Sequence, residues 1–267
     1  MNKNLPIGVF DSGLGGLTVL KALQKKLPKE SFIYIGDTAH VPYGNKSRSS
    51  IINYATTLST FLINKYNVKM IIVACNTASS IAINTLQKQF TIPILDVISP
   101  MEKLLSKHKS FQCIGVIGTH NTIQSKSYNK LLLRINPKLK ILSRSCPLFV
   151  PIIEEGLENH PIAELMIHEY LSPLIENNID ALILGCTHYP ILKKTINKLI
   201  SKEIEIIDSS AILSSYTKQY LNQHQLININ SHITTQLLVT DFSEHFNRFA
   251  SKILNNNFCS ISTIQLF

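Results

Sequence analysis

Short runs of branched apolar residues recur along this chain, separated by longer stretches whose apolar residues fall at helical spacing. IGVF (7–10), SFIYIGD (31–37), VKMIIVAC (68–75) and IPILDVI (92–98) read as strands. GLTVLKALQKKL (16–27), SSIINYATTLSTFLINKY (49–66) and SSIAINTLQKQF (79–90) read as the helices between them. The rhythm resumes with strands at FQCIGVIGT (111–119), KILSRS (140–145), DALILGC (180–186) and IEIIDSS (204–210). Helical patterns over 125–135, 161–178 and 193–200 separate these. Strands apolar on both faces, alternating with helices, predict an α/β fold of mainly parallel sheets covered on both sides. Two last helical tracts, 210–224 and 241–254, are expected to return and cover the first half.

The pattern repeats itself. IGVFDS begins at Ile7 and IGVIGT at Ile114, while IIVACNT and LILGCTH carry Cys75 and Cys186 at nearly the same offset. Two phrases repeated at nearly one offset predict two pseudo-symmetric, doubly wound domains with a cleft between them. Proline and serine in VISPME (97–102) mark one crossover and IDSSAIL (206–212) another. The expected division is 1–98 plus 210–267 for the first domain and 99–209 for the second.

Composition narrows the class. At 267 residues and 45% hydrophobic, the chain can bury a sizeable core. No apolar run reaches the ~18 residues that a membrane span needs. MNKNLPIGVFDSG lacks the charged and apolar regions of a secretory signal, so a cytoplasmic protein without a membrane partner is expected. The net charge is +9, but the lysines are scattered, aromatics are 7% and there is no tryptophan. Nucleic acid is therefore an unlikely partner; small anionic substrates make better use of such a field.

In open α/β sheets, ligands bind beyond the carboxyl ends of the strands. Here VFDSGLGG, IGDTAHVPYG, VACNTAS, VIGTHNT and LGCTHYP all end strands in polar turns. DSGLGG is not a dinucleotide fingerprint: Gly13 and Gly15 are followed by Thr18 where a third glycine belongs, and no G-K-[ST] of a P-loop occurs. Its glycines suit a tight turn that brings backbone N–H groups to an anion, carboxylate or phosphate.

The five cysteines, Cys75, Cys113, Cys146, Cys186 and Cys259, are scattered and include no C-x-x-C pair, against both a disulfide scaffold and a zinc site. Cys113 and Cys146, and more loosely Cys259, read as small buried packing residues. Cys75 and Cys186 differ, because each sits where a strand meets a helix start. A helix N-terminus lowers a thiol's pKa from about 8.5. A thiolate there can be a nucleophile, a metal ligand or a base. Two equivalent thiols, one per half, suggest two bases facing each other across a substrate carbon.

DSGLGGLTV, DTAHVPYG, ACNTAS, PLFVPIIEEG and LGCTHYP, in this order and across nearly the whole chain, resemble the glutamate racemases of the aspartate/glutamate racemase superfamily. Two departures are His40, where the family often has arginine, and VTD (Val239–Asp241) for its TTGD phrase. The resemblance implies interconversion of L- and D-glutamate with no cofactor and no metal, commonly in a homodimer, the D-isomer entering peptidoglycan. It implies that Cys75 takes the α-proton of D-glutamate and Cys186 that of L-glutamate. Asp11 and Ser12 would bind the amino group, and His188, with Glu154 or its neighbour Glu155, would assist Cys186. Asn76, Thr77, Thr119, Thr122 and Thr187 would hold the carboxylates together with the Tyr43–Gly44 turn. Two rivals remain at this point: an aspartate racemase with the same pair of cysteines, and a two-domain clamp that holds an amino acid without reacting.

Overall fold

A computed structural model describes residues 2–106, 111–229 and 232–266. The first half runs β1 (Ile7–Asp11), α1 (Gly16–Lys26), β2 (Phe32–Gly36), α2 (Arg48–Tyr66), β3 (Met70–Val73), α3 (Asn76–Gln89) and β4 (Ile94–Asp96). After α4 (Met101–Leu105) the second half follows: β5 (Cys113–Gly118), α5 (His120–Gln124), α6 (Ser127–Ile135), β6 (Lys140–Ser145), α7 (Phe149–Glu154), α8 (Pro161–Ile175), β7 (Ala181–Gly185), α9 (Lys193–Leu199) and β8 (Glu205–Asp208). The chain then returns through α10 (Ser209–Gln223), β9 (Thr235–Val239), α11 (Glu244–Leu254) and β10 (Ser260–Thr263).

Among the described residues, these strands form two sheets, ordered β10-β9-β2-β1-β3-β4 and β6-β5-β7-β8, with every strand pair parallel. The block β2-β1-β3-β4 has the connectivity of β6-β5-β7-β8, so β3 and β7 are equivalent strands. This is the repeat seen in the sequence. Because the strands are parallel, their carboxyl ends share one edge in each sheet, and the polar turns follow from that edge.

Alternation builds the core. In β1, Ile7 and Val9 join the apolar cluster shared with α1 and α10, while Phe10 joins the cluster formed with α2 and α3. Helix ends are fixed locally: Ser47 caps α2 by accepting from Ser50 N–H, and Asn67 ends it in the left-handed conformation. Lys69 and Glu30 form a buried ion pair at 2.5 Å. Lys69 Nζ also donates to the carbonyls of Lys3 and Leu226, tying the returning chain beneath the first sheet.

The structure departs from the sequence reading in four places. TQLLV (235–239) is a strand added beside β2 and SIST (260–263) a strand added beside TQLLV, though neither stands out from its polar flanks. They take their conformation from the exposed edge they pair with. β4 is shorter than IPILDVI because Asp96 Oδ1 accepts from Ile98 N–H and Ser99 N–H, turning the chain. PLFVPIIEEG contains a helix, α7, despite Pro151. Cys259 is exposed, correcting its reading as a packing residue, because it precedes the edge strand β10. No helix among the described residues is long and apolar enough to cross a membrane.

Candidate active site

Asp11 ends β1 with its side chain fully buried, and its Oδ1 accepts from Gly13 N–H at 3.1 Å and Gly16 N–H at 2.9 Å. Gly16 is required here, since a Cβ would strike Asp11 itself. Burial raises the Asp11 carboxyl; the nearby His188 and the backbone N–H groups act against that. Its Oδ2 is buried with no hydrogen-bond partner.

Cys75 follows β3 as the N-cap of α3, and its Sγ accepts from Ala78 N–H at 3.4 Å. The thiol donates to Ser12 Oγ at 3.6 Å. The helix terminus alone predicts a lowered thiol pKa. Instead burial, and then the charge of Asp11, push Cys75 up to about 12, outweighing the Ala78 and Ser12 contacts. Cys186 lies close enough that its charge also raises Cys75.

Cys186 follows β7, with Sγ 3.8 Å from His188 Nδ1. His188 Nε2 lies 2.9 Å from Glu154 Oε1, while Glu155 is exposed, so Glu154 is the glutamate that reaches the histidine. Burial opposes charge on the ring, but the contacts with Cys186 and Glu154 outweigh it and push His188 up to about 10. Both cysteines are only 5% exposed.

Hydrogen bonds from both halves meet around these groups. Thr77 Oγ1 lies 2.9 Å from Thr119 Oγ1 and 3.3 Å from Thr122 Oγ1, and Thr119 caps α5. Asn76 Oδ1 accepts from Tyr128 O–H at 2.6 Å, leaving its buried Nδ2 without a partner. Thr187 and Gly44 are also drawn in: the backbone of Thr187 accepts from Thr18, and a Cβ on Gly44 would reach Thr119 at 3.0 Å.

The Tyr43–Gly44 turn is held from behind. Tyr43 O–H donates to Asp37 Oδ2 at 2.6 Å, and Asp37 Oδ1 accepts from Thr240 O–H at 2.8 Å. His40 lies 2.8 Å from the same Asp37 oxygen and stacks on Tyr54. Both departures from the family's phrases thus lie in this supporting layer. Asn121 Nδ2 donates to the carbonyls of Tyr43 and Lys46, joining α5 to the turn.

Asp11, Ser12, Cys75, Cys186, His188 and Glu154 are joined by these contacts, and Thr77, Thr119 and Thr122 by theirs, while Glu155 is exposed and stands apart. Missed were Asn121, Tyr128, Thr18 and the role of Asp37. Asn121 stood in the polar turn VIGTHNT, a usable signal; Tyr128 and Thr18 lie within helical patterns and gave none. Among the described residues, no group of three His, Cys, Asp or Glu side chains has the arrangement to hold a metal ion.

Comparison with known proteins bears on this arrangement. The family model described as Asp/Glu/Hydantoin racemase matches residues 7–217. A glutamate racemase of Sulfurihydrogenibium sp. (strain YO3AOP1) is 42% identical over 252 residues, covering 94% of this chain and 95% of that protein. The crystal structure of glutamate racemase from Francisella tularensis subsp. tularensis SCHU S4 in complex with D-glutamate superposes with a TM-score of 0.92 at 40% identity, covering 99% of this chain and 98% of that one. That of Thermus thermophilus glutamate racemase, in complex with β-chloro-D-alanine, gives 0.88 at 38% identity, covering 100% and 99%.

Proposed function

We propose, from the premise that this chain belongs to the Asp/Glu/Hydantoin racemase family, that it interconverts L- and D-glutamate by proton transfer between two thiols. The observation that carries the reading is the equivalence of Cys75 and Cys186, each at the tip of the matching strand in its half and within electrostatic reach of the other.

The unsatisfied groups fit an amino acid. Asp11 Oδ2 is a buried acceptor and Asn76 Nδ2 a buried donor, neither with a partner. Leaving such groups unpaired is costly, and an ammonium and a carboxylate would satisfy both. Ser12 would stand with Asp11 at the amino group. Asn76, Thr77, Thr119, Thr122, Thr187 and the Tyr43–Gly44 turn would hold the carboxylates.

With D-glutamate, the Cys75 thiolate takes the α-proton. The electron pair left on carbon spreads into the adjoining carboxylate, and fixed donors stabilise that charge. The Cys186 thiol then gives a proton to the opposite face. L-glutamate reacts in reverse, Cys186 abstracting with His188, steadied by Glu154, holding the proton balance. Asp11 disfavours the Cys75 thiolate, so a substrate ammonium beside Asp11 would remove part of that opposition. Since both thiols are nearly enclosed, the halves must part to admit substrate and close again around it.

The reading extends to D-glutamate supply for peptidoglycan from a cytoplasmic homodimer, with 1–98 plus 210–267 and 99–209 as its domains. The test is optical rotation. Incubated with the protein, L-glutamate should lose its rotation completely. Faster loss with L-aspartate would replace the substrate, and no loss with either would favour the non-reacting clamp.

A further inference from the structure

We propose that Gly15 is a positioning residue whose missing side chain lets His188 reach Cys186, and that Thr18 holds the same loop in place. The proposal rests on the two-base reading above. Gly15 lies just before α1, in the first half, and a Cβ built there would collide with Thr187 Oγ1 and His188 Nδ1 in the second. His188 Nδ1 is the atom that faces Cys186 Sγ at 3.8 Å. Thr18 Oγ1 lies 2.8 Å from the Thr187 carbonyl across the same gap and 2.9 Å from the Gly15 carbonyl, its one proton shared between the two. The first turn of α1 therefore abuts the backbone that carries Thr187 and His188.

Gly15 is not needed for its own backbone. Its φ of −60° and ψ of −35° are right-handed helical, which alanine adopts more readily than glycine. The local conformation would thus tolerate a side chain, and only the opposite half excludes one. A methyl group at this position meets His188 Nδ1 and Cε1 and must push the ring off Cys186.

Racemisation rates cannot reveal which thiol suffers. Enantiomers have equal free energy, so kcat/KM must fall equally in both directions. Elimination separates the two sides. With a glutamate analogue bearing chloride on the β-carbon, abstraction of the α-proton expels chloride, and one thiol suffices for each isomer. Gly15→Ala should remain folded, with Tm lowered because the added methyl overpacks the contact, and lose elimination from the L-isomer by about 100-fold while that from the D-isomer stays within about threefold. Thr18→Val keeps the side-chain shape but not the bond, and should show the same bias at about tenfold.

Equal losses on both isomers, or none, would overturn the proposal. Should Gly15→Ala fail to fold, Thr18→Val decides by the same criterion. Cys75→Ser and Cys186→Ser run alongside tell the two failures apart. If the cysteine variants sort by isomer and the loop variants do not, positioning alone is wrong. If the cysteine variants do not sort, the two-base reading fails and this inference with it.

Discussion

Tyr128, from α6, donates its hydroxyl to Asn76 Oδ1, at the start of α3, across 2.6 Å. The bond crosses between the halves and fixes which way the amide points. With Oδ1 occupied, Nδ2 is the atom left for a ligand.

Tyr128→Phe keeps the ring and its packing but frees the amide to turn. It should lower kcat/KM on glutamate by about tenfold and stability by about 1 kcal/mol. Steady-state kinetics beside urea unfolding check both. Full activity in the variant would remove Asn76 from the carboxylate site.

The remaining buried cysteines are expected to be packing residues. Cys146 is fully buried, its thiol directed to the Arg144 carbonyl, and Cys113 opens β5. Cys113→Ala and Cys146→Ala should each cost on the order of 1 kcal/mol in stability. Racemisation should be retained to within about threefold, a change that small side-chain deletions outside the site produce. A folded but inactive variant would show that the five thiols have been sorted wrongly.

Stability should also report on His188. In an unfolded chain its pKa is about 6.5, against about 10 in the folded protein. The folded state holds this proton more tightly. The stabilisation is therefore complete below about 6.5 and is lost as pH rises through about 10. Glu154→Gln removes one of the contacts that raise His188, so its unfolding free energy should decline less than the wild type's over that window. Urea melts at several pH values give the comparison, and parallel curves would detach Glu154 from His188.

Much of this was legible in advance because the repeating physical signals were strong. Continuous apolar strands gave β1, β2, β3, β5 and β7, and the shared offset of the two cysteine phrases anticipated the matching strand orders. Glycine spacing in DSGLGG anticipated a turn that offers backbone N–H groups to an anion, but those of Gly13 and Gly16 are taken by the carboxylate of Asp11 rather than left for a ligand. What stayed hidden depends on distant partners. β9 is a strand because β2 offers it an edge, and β10 because β9 then offers it the next. Cys75 is raised because burial and Asp11 outweigh its helix terminus, which local sequence cannot weigh. Tyr128 looked like any aromatic on a helix until the opposite half supplied Asn76.

The central claim is that two thiols work on opposite faces of one carbon, and the elimination reaction of serine variants tests it most directly. Serine leaves a hydroxyl, a far weaker base, at similar size. Either Cys75→Ser or Cys186→Ser should suppress racemisation in both directions, since each turnover needs one group to take a proton and the other to supply one. With the β-chloro analogue, Cys75→Ser should still process the L-isomer and fail on the D-isomer, and Cys186→Ser should do the reverse. If one variant loses elimination from both isomers while the other keeps both, a single base serves both faces and the two-thiol account is wrong.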